Sequence, residues 1–353
     1  MPGPHPVLID AHVHLLGNGS RGSGCWYRPR GPARRLLSPI FMRAMGLTRA
    51  DLHGDLDRIY AERLLEYIRG SSLDAVALFA QDAVYREDGA RWAGRGTFYV
   101  PNEVVLQLAR EHPSIRPVVS IHPARPDALE ELARCVAAGA AALKLLPNCH
   151  NVECGLPRYR RFWEEVAAQR LPFIAHTGGE NTIDEVRPEL ADPRQLRAPL
   201  EMGVTVIAAH CGTACRFIDR DYFPVFREML AGFPNLYGDT AAFNLPNRCR
   251  RLRDCLRPGV VERLVHGSDV PVPVFAHPGL VMGLFGVRTW WRLRRLRNPL
   301  ERDYRLKRAM GFPEEVFTRA ARLLRQPASR VPSEPSRRPE AQPESCSRTD
   351  NSR

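Results

Sequence analysis

Residues 7–15 read Val-Leu-Ile-Asp-Ala-His-Val-His-Leu, a short apolar run that ends in two histidines separated by one residue. A run of this length and composition predicts a buried β-strand. Side chains alternate between the two faces of a strand, so His12 and His14 are expected on one face, a short distance apart. Two imidazoles placed in this way can share one divalent metal ion, although the motif alone fits two ordinary histidines equally well.

Similar apolar runs recur along the whole chain. Together with the first they are residues 7–15, 73–80, 115–121, 140–146, 172–176, 204–211, 236–240 and 264–270. Helix-like stretches lie between them, for example residues 101–112, 127–138, 159–169 and 220–231. From the third run onward the runs start about 25 to 32 residues apart, which is the size of a βα unit.

Eight such units predict an α/β protein with a (β/α)₈ TIM barrel. A doubly wound open sheet is the alternative fold. It is disfavoured because no glycine-rich phosphate-binding motif follows the first run and opens a helix.

The predicted barrel occupies residues 1–285, and two further segments follow it. Residues 286–326 are expected to form C-terminal helices that pack on the barrel, with an amphipathic helix over residues 313–325. Residues 327–353 are rich in Pro, Ser, Glu and Arg and poor in apolar residues, which is typical of a disordered tail.

The connection between the first two runs is unusually long, at more than 50 residues, and it contains a stretch rich in Gly, Arg and Ser. On a barrel this connection lies at the face where active sites form. We therefore expect it to act as a substrate lid, the alternative being a loosely attached insertion. A helix is predicted within it, over residues 58–69.

The composition is that of an ordinary globular protein, with 44% hydrophobic and 25% charged residues among 353. The net charge of +12 is concentrated in residues 288–308, which hold nine basic and two acidic residues, a surplus of seven. A charge confined to one segment argues against a surface built for nucleic acid. We expect Trp290 and Trp291 of this segment to pack on the barrel; contact with nucleic acid, an anionic membrane or a second copy of the chain are the alternatives.

Nine cysteines occur without a CxxC pair, and residues 1–6 show no secretory signal. Free thiols in a reducing cytoplasm are the simplest interpretation. No window approaches 18 consecutive apolar residues, so no membrane span is expected.

Only two of the 51 basic residues are lysines, Lys144 and Lys307. Arginine keeps its proton in proteins, whereas lysine can lose it, so a lysine in so arginine-rich a chain is a candidate for chemistry that arginine cannot perform. Lys144 lies in the fourth apolar run.

The ends of other predicted strands carry side chains that match the first histidine pair. His176 ends the fifth run, His210 the sixth, and Asp269 follows Gly267 in the eighth. Imidazole and carboxylate groups are the donors that a borderline divalent metal prefers. Four histidines and one aspartate at one barrel mouth therefore predict a metal centre.

Other polar residues near the predicted mouth are weaker candidates. His266 lies three residues before Asp269 and is expected on the opposite face, and His122 is expected to pack. Asp239 and Thr240 are candidates for contacts with substrate or with the ligands. Loop residues that fit no familiar zinc spacing are Cys149, His150, Glu153 and Cys154. Weak candidates for substrate contact are Glu180, Arg28 and Tyr27.

In combination and in order, these motifs resemble the amidohydrolase superfamily, in its amidohydrolase-related branch, over about residues 7–325. The resemblance implies that His12, His14, His176 and Asp269 bind a divalent metal, with zinc expected and one or two ions per chain. It also implies that His210 binds a second metal or the attacking water, and that Asp269 accepts the proton of that water.

The resemblance leaves the role of Lys144 open. In two-metal members a lysine at this strand end is carboxylated by CO₂ and bridges the metals. A cationic lysine that orients substrate, or one that only packs, are the alternatives.

The implied activity is a metal-dependent hydrolysis of an amide, ester or lactone bond in a small molecule, because a bound metal makes water nucleophilic near neutral pH. A non-oxidative decarboxylase of a small carboxylated substrate is the main alternative, and the arginine-rich first connection could then bind the carboxylate.

Lys144 counts against a deoxyribonuclease of the superfamily, in which glutamate usually ends the fourth strand. A non-catalytic role of the basic segment would leave His12 and His14 dispensable. We expect no nucleic-acid or membrane partner, and a homo-oligomer remains open.

Overall fold

The computed structural model describes residues 5–326, in which eight parallel strands form a nearly closed barrel. The strands are β1 (Ile9–His14), β2 (Trp26–Tyr27), β3 (Ala75–Phe79), β4 (Phe98–Tyr99), β5 (Ile115–Val119), β6 (Ala142–Leu145), β7 (Phe173–His176), β8 (Val206–Ala209), β9 (Leu236–Asp239) and β10 (Leu264–Val265). All except β2 and β4 pair in parallel in the order β1-β3-β5-β6-β7-β8-β9-β10. The barrel predicted from the sequence is confirmed.

The barrel closes between its last and first strands. Val13 and Val270 form a parallel bridge, and the His14 N–H donates to the Val270 carbonyl over 2.8 Å. The Ala11 N–H donates to the His266 carbonyl over the same distance. These bonds exclude the open doubly wound sheet, whose edge strands stay unpaired.

Helices surround the barrel within residues 5–326. They are α1 (Gly31–Ala44), α2 (Leu56–Arg69), α3 (Asn102–Glu111), α4 (Ala128–Ala137), α5 (Pro147–His150), α6 (Arg160–Ala168), α7 (Arg197–Glu201), α8 (Phe223–Gly232), α9 (Leu252–Cys255), α10 (His277–Val281), α11 (Val287–Leu293), α12 (Pro299–Ala309), α13 (Glu314–Thr318) and α14 (Ala320–Leu323). The predicted helices are confirmed as α2, α3, α4, α6 and α8. The helix predicted over residues 313–325 is wrong in detail, because it is divided into α13 and α14.

Two apolar clusters stabilise the fold. One fills the barrel interior with small and branched side chains such as Ala77, Val118 and Ile207, and Ala320 of α14 and the following Leu324 add to it. The other lies between the strands and the surrounding helices. Because α14 packs at the end of the barrel opposite the carboxyl ends of the strands, only the carboxyl end is left for a polar site.

The long first connection is packed rather than loosely attached. Helix α2 buries Leu56, Tyr60, Leu64 and Ile68, and the Tyr60 hydroxyl donates to the His14 carbonyl over 2.9 Å. Strand β2 of this connection pairs antiparallel with β4 from the next one. The connection is therefore joined to β1 directly beside the histidine pair.

The basic C-terminal segment forms two helices, α11 and α12. Helix α12 begins at Pro299, which has no N–H to donate, and Asn298 caps it by accepting from two backbone N–H groups. Trp290 packs against the core as expected. The expectation is wrong for Trp291, which is 48% exposed and has the Arg294 guanidinium 4.6 Å from its ring centre.

The tail assigned to residues 327–353 lies outside the described residues. The eight cysteines within residues 5–326 are all free and buried. Across the same residues, each helix is either too short or too polar to cross a bilayer.

Candidate metal centre and active-site cavity

Three side chains converge at the carboxyl end of the barrel. The Nε2 atoms of His12 and His14 are 3.2 Å apart. Asp269 Oδ1 lies 3.1 Å from the His12 Nε2 and 3.2 Å from the His14 Nε2. The three residues are the one group in residues 5–326 whose donor atoms fit a shared metal ion.

The turn after β10 brings Asp269 to the histidines. Asp269 has a φ of +68°, a left-handed conformation that is uncommon for residues other than glycine and that concentrates at functional sites. Its N–H donates to the His12 carbonyl over 2.9 Å, which fixes the turn against β1. A Cβ at Gly267 would lie 2.8 Å from the Cβ of His12, so a glycine is required at this approach.

Asp239, at the end of β9, orients His12. Its Oδ2 lies 2.7 Å from the His12 Nδ1, and its Oδ1 accepts from the N–H groups of His210 and Ala241 over 2.8 and 3.0 Å. Burial alone would raise the pKa of Asp239, but His12 holds it well below the usual range. An ionised Asp239 only accepts, so Nδ1 of His12 carries a proton, and in the neutral ring the lone pair lies on Nε2.

His210 and His176 stand beside this group. The His210 ring centre is 5.2 Å from that of His12 and 5.0 Å from that of His176. The His210 Nδ1 donates to the Ala241 carbonyl over 3.1 Å, which leaves its Nε2 available. The His176 Nε2 is buried, has no hydrogen-bond partner within residues 5–326, and lies 3.7 Å from Glu180 Oε2.

Burial keeps His14, His176 and His210 neutral. It lowers the pKa of His176 to about 4, that of His14 below its ordinary value, and that of His210 well below it. Metal binding requires neutral imidazole, so the lone pairs of these three rings are free at neutral pH. Burial alone would also lower the pKa of His12, but the carboxylates of Asp239 and Asp269 raise it above its ordinary value.

Lys144, at the end of β6, is buried at the same mouth. Its Nζ lies 4.9 Å from the centre of the Phe79 ring and has no hydrogen-bond partner within the described residues. Burial lowers the pKa of this amine to about 8, despite the carboxylates of Asp239 and Asp269 nearby. An amine with such a pKa is partly neutral near pH 8, as a reaction with CO₂ would require.

The donor set fits a divalent metal ion. Ligand atoms at about 2.05 Å from a tetrahedral zinc lie about 3.3 Å from one another. The three distances among His12, His14 and Asp269 are 3.1 to 3.2 Å, close to that spacing. The unpartnered nitrogen of His176 is a further donor for such an ion.

A cavity opens above the metal centre. The candidate ligands lie in its wall together with Lys144, and its apolar lining includes Phe41, Phe98, Leu146 and Leu245. Two of the weaker candidates, Glu180 and Tyr27, also line it, whereas Arg28 does not.

Arg248 also lines the cavity, although no sequence motif pointed to it. It is 4% exposed, and one guanidinium nitrogen donates to the Thr213 carbonyl and hydroxyl over 3.0 and 3.1 Å. The other donates to the Gly179 carbonyl. Within residues 5–326 no carboxylate lies within 4.0 Å of this guanidinium; the nearest acidic influence is the buried Glu180 of the same cavity wall, whose pKa Arg248 helps to lower. The chain has fifty other basic residues, and only the three-dimensional structure shows that Arg248 lies in this cavity.

The remaining weak candidates lie away from the metal ligands. His266 is buried on the opposite side of its strand, 3.9 Å from Asp10 and 3.8 Å from Asp303. The His122 Nε2 lies 2.7 Å from the His150 carbonyl. Cys149 and Cys154 are buried and free.

The chain matches the family model described as "Amidohydrolase" over residues 9–287. This chain belongs to the amidohydrolase family. The match contains every candidate ligand of the metal centre. No curated protein matches this chain.

Solved structures share the fold at low sequence identity. A 5-carboxyvanillate decarboxylase from Sphingomonas paucimobilis is 14% identical, with a TM-score of 0.54 over 91% of this amidohydrolase and 99% of that chain. A "Putative 2-Pyrone-4,6-Dicarboxylic Acid Hydrolase" from Pseudomonas putida is 16% identical, with a TM-score of 0.53 over 91% and 98%. An uncharacterised TIM-barrel protein from Bordetella bronchiseptica is also 16% identical, with a TM-score of 0.52 over 86% and 99%.

Proposed function

We propose that this amidohydrolase is a metal-dependent hydrolase that cleaves an amide, ester or lactone bond in a small carboxylated molecule. The observation that carries the proposal is one cavity with two unlike polar parts. One part is the group of His12, His14 and Asp269, whose spacing suits a metal ion. The other is the buried guanidinium of Arg248, which has no carboxylate partner among residues 5–326.

His12, His14 and Asp269 would bind the ion. His176 and His210 would lie beside it as further donors. A divalent metal, zinc being the ion we propose, makes water nucleophilic near neutral pH and polarises a carbonyl. Burial alone would raise the pKa of Asp269, but His12 holds it well below its usual range. Its carboxylate is therefore ionised and able to accept a proton from water beside the ion.

Arg248 supplies the argument for the substrate class. A buried guanidinium binds carboxylates through two parallel hydrogen bonds, and the bond is stronger where water is excluded. Apolar side chains such as Phe41 and Phe98 line the same cavity. A compact apolar or ring-shaped body that carries a carboxylate suits both surfaces. We also propose that such a small molecule, rather than nucleic acid or a membrane, is the partner.

Non-oxidative decarboxylation is the second candidate. It is favoured by the same cavity, because a buried cation beside an apolar wall would hold an aromatic acid as well as a lactone. Two solved structures of the same fold are named for carboxylated ring substrates, one as a decarboxylase and one as a hydrolase. Both reactions would use the same ligands.

The experiment loads the full chain with zinc or manganese and supplies two matched substrate series. One contains lactones, esters and amides with and without a carboxylate, and the other contains hydroxylated aromatic acids. Uptake of ¹⁸O from labelled water identifies hydrolysis, whereas release of CO₂ identifies decarboxylation. Failure of both series with metal-loaded protein would contradict the proposal.

Two variants locate the reaction in this cavity. Asp269→Asn keeps a side chain that tolerates positive φ, so the fold should persist while turnover falls by about 10²-fold or more. Arg248→Gln should raise KM for carboxylated substrates and leave KM for their uncharged analogues unchanged. Equal effects on both analogues would remove the role given to Arg248.

A further inference from the structure

The small two-stranded sheet of β2 and β4 separates two cavities. Tyr27 pairs with Phe98, and both side chains line the active-site cavity. Trp26 pairs with Tyr99, and their rings stack at 6.2 Å with an angle of 18° between planes. Because side chains alternate along a strand, Trp26 points to the other side of this small sheet, where it lines a second cavity.

The second cavity, which we name the arginine–tryptophan cavity, has a volume of about 440 Å³. Small-molecule sites commonly measure about 300 to 1,000 Å³. The residues in its wall with large side chains are Trp26, Arg28, Arg30, Arg91, Trp92 and Arg95. The rest of the wall is Ala83, Val84, Ala93, Gly94 and Gly96, so it contains no acidic residue.

Three of its four arginines have no counter-ion. Within the part of the chain that the structure describes, no carboxylate lies within 4.0 Å of the guanidinium nitrogens of Arg28, Arg30 or Arg91. Arg95 reaches Asp184 at 3.4 Å. Elsewhere in residues 5–326 some arginines do pair with an acidic neighbour, as Arg58 does with Glu62 over 2.8 Å. Like charges gathered around one cavity repel one another unless an anion lies between them.

The two tryptophans lie beside these charges; Trp26 stacks on Tyr99, and the Arg86 guanidinium carbon lies 5.5 Å from the centre of the Trp92 ring. Both indoles are partly exposed, and the guanidinium carbons of Arg28 and Arg95 lie 5.4 and 5.2 Å from the ring centres of Trp26 and Trp92. The backbone at Gly96, where φ is +87°, approaches the Trp26 ring closely. A Cβ at this position would lie 3.3 Å from the ring. A side chain at this position would displace the indole.

We propose that the arginine–tryptophan cavity binds a small aromatic anion, a planar ring that carries a phosphate or carboxylate group. Guanidinium groups bind both anions through paired hydrogen bonds, and indoles stack on planar rings. The site is distinct from the metal centre, because no residue of its wall lies in the wall of the active-site cavity. It does not depend on the activity proposed above.

Calorimetric titration of the full chain tests the proposal with four probes: adenosine monophosphate, phthalate, adenosine and inorganic phosphate. We expect saturable binding of one adenosine monophosphate or one phthalate per chain, and the comparison of the two identifies the preferred anion. Adenosine lacks the anionic group, and inorganic phosphate lacks the aromatic ring. Adenosine should bind at least about tenfold more weakly, since a single charged hydrogen bond is worth at least that factor. Inorganic phosphate should bind at least about tenfold more weakly because it has no ring to stack on an indole.

Variants place the binding in this cavity. Arg28→Ala with Arg91→Ala should weaken binding by about 10²-fold or more. Arg288→Ala with Arg292→Ala removes the same charge from an exposed surface elsewhere and should leave affinity unchanged. Trp92→Leu should weaken binding by about tenfold, and Trp290→Leu, which alters another partly buried tryptophan, should not. Treatment with a metal chelator should not change the affinity.

Several results would overturn the proposal. The first is the absence of saturable binding by both adenosine monophosphate and phthalate. The second is equal affinity in the two double-arginine variants. Inorganic phosphate that binds as tightly as adenosine monophosphate would show a site for charge alone. Binding of an oligoadenylate without binding of the mononucleotide would instead indicate a surface for single-stranded RNA.

Discussion

At the scale of single residues, the metal centre depends on a carboxylate that points away from the candidate ion. Asp239 accepts from the His12 ring on one oxygen and from two backbone N–H groups on the other. It therefore joins the ends of β1, β8 and β9 and selects the tautomer of His12. Residues of this kind commonly change metal affinity by 10- to 100-fold, roughly, when they are replaced.

Asp239→Asn tests this role. The amide keeps the size of the side chain but carries no charge, so we expect zinc affinity to fall by about 10- to 100-fold while the fold persists. Competition with a chromogenic chelator measures the affinity, and circular dichroism monitors the fold. Asp127→Asn, at a half-exposed carboxylate, is the matched control. Equal affinities in the two variants would contradict the role.

Lys144 predicts a pH dependence of stability in the metal-free protein. Burial lowers its pKa to about 8 from 10.5 in the unfolded chain. Between these pH values the unfolded chain binds a proton that the folded chain does not, so the free energy of unfolding rises with pH. The cost of burying the charge, about 3 kcal/mol, is fully present below pH 8 and disappears as the pH approaches 10.5.

Urea denaturation of the wild type and of Lys144→Met, both in chelator, measures this effect. Other groups titrate in both chains, so the informative quantity is the difference between their free energies of unfolding. That difference should move in favour of the wild type by about 3 kcal/mol between pH 7.5 and pH 10.5. A difference that does not change with pH would show that burial does not lower the pKa of Lys144.

At the scale of elements, α12 is tied to the end of the last barrel strand by the second lysine. Lys307 is fully buried, and its Nζ donates to Asp303 over 2.5 Å and to the Gly267 carbonyl over 2.6 Å. Gly267 lies in the turn that positions Asp269. The one other lysine of the chain therefore stabilises the turn of the metal centre from outside the barrel.

A double-mutant cycle tests this contact. Lys307→Met leaves the Asp303 carboxylate buried without its cation and should cost about 3 to 5 kcal/mol of stability. Lys307→Met combined with Asp303→Leu removes both charges and should cost clearly less than the single change. Urea denaturation of the four chains measures the coupling. Additive effects would show that the two charges do not stabilise each other.

Element positions were largely predictable, because buried parallel strands are continuous apolar runs. The residues at which the elements end were not predictable. The run at residues 264–270 is paired as a strand only over Leu264–Val265, since the chain then turns to present Asp269. The histidines were predictable for the same reason, as they end strands. Asp239 was recognised only as a general candidate, because its partner His12 lies 227 residues away.

At the scale of the whole molecule, the position of Arg248 in the active-site cavity could not be predicted from the sequence. Arg248 lies in no repeated motif, and its isolation from carboxylates depends on how three loops fold together. The arginine–tryptophan cavity likewise combines residues of two barrel connections, which meet at the antiparallel pair of β2 and β4. Such sites follow from packing between distant segments, whereas the metal ligands follow from a local rule that repeats at each strand end.

A metal centre that joins β1 to the turn after β10 closes the barrel, so metal binding should be linked to global stability. An ion that binds only the folded chain adds about 4 kcal/mol at a free concentration of about 1,000 times Kd. Zinc should therefore raise the Tm of chelator-treated protein by several degrees, as measured by differential scanning calorimetry. His12→Ala with His14→Ala should abolish this shift, whereas His5→Ala with His53→Ala, at two exposed histidines, should retain it. Because the two variants keep the same cysteines and the same number of histidines, a shift that survives in the first variant would show metal binding away from the barrel mouth.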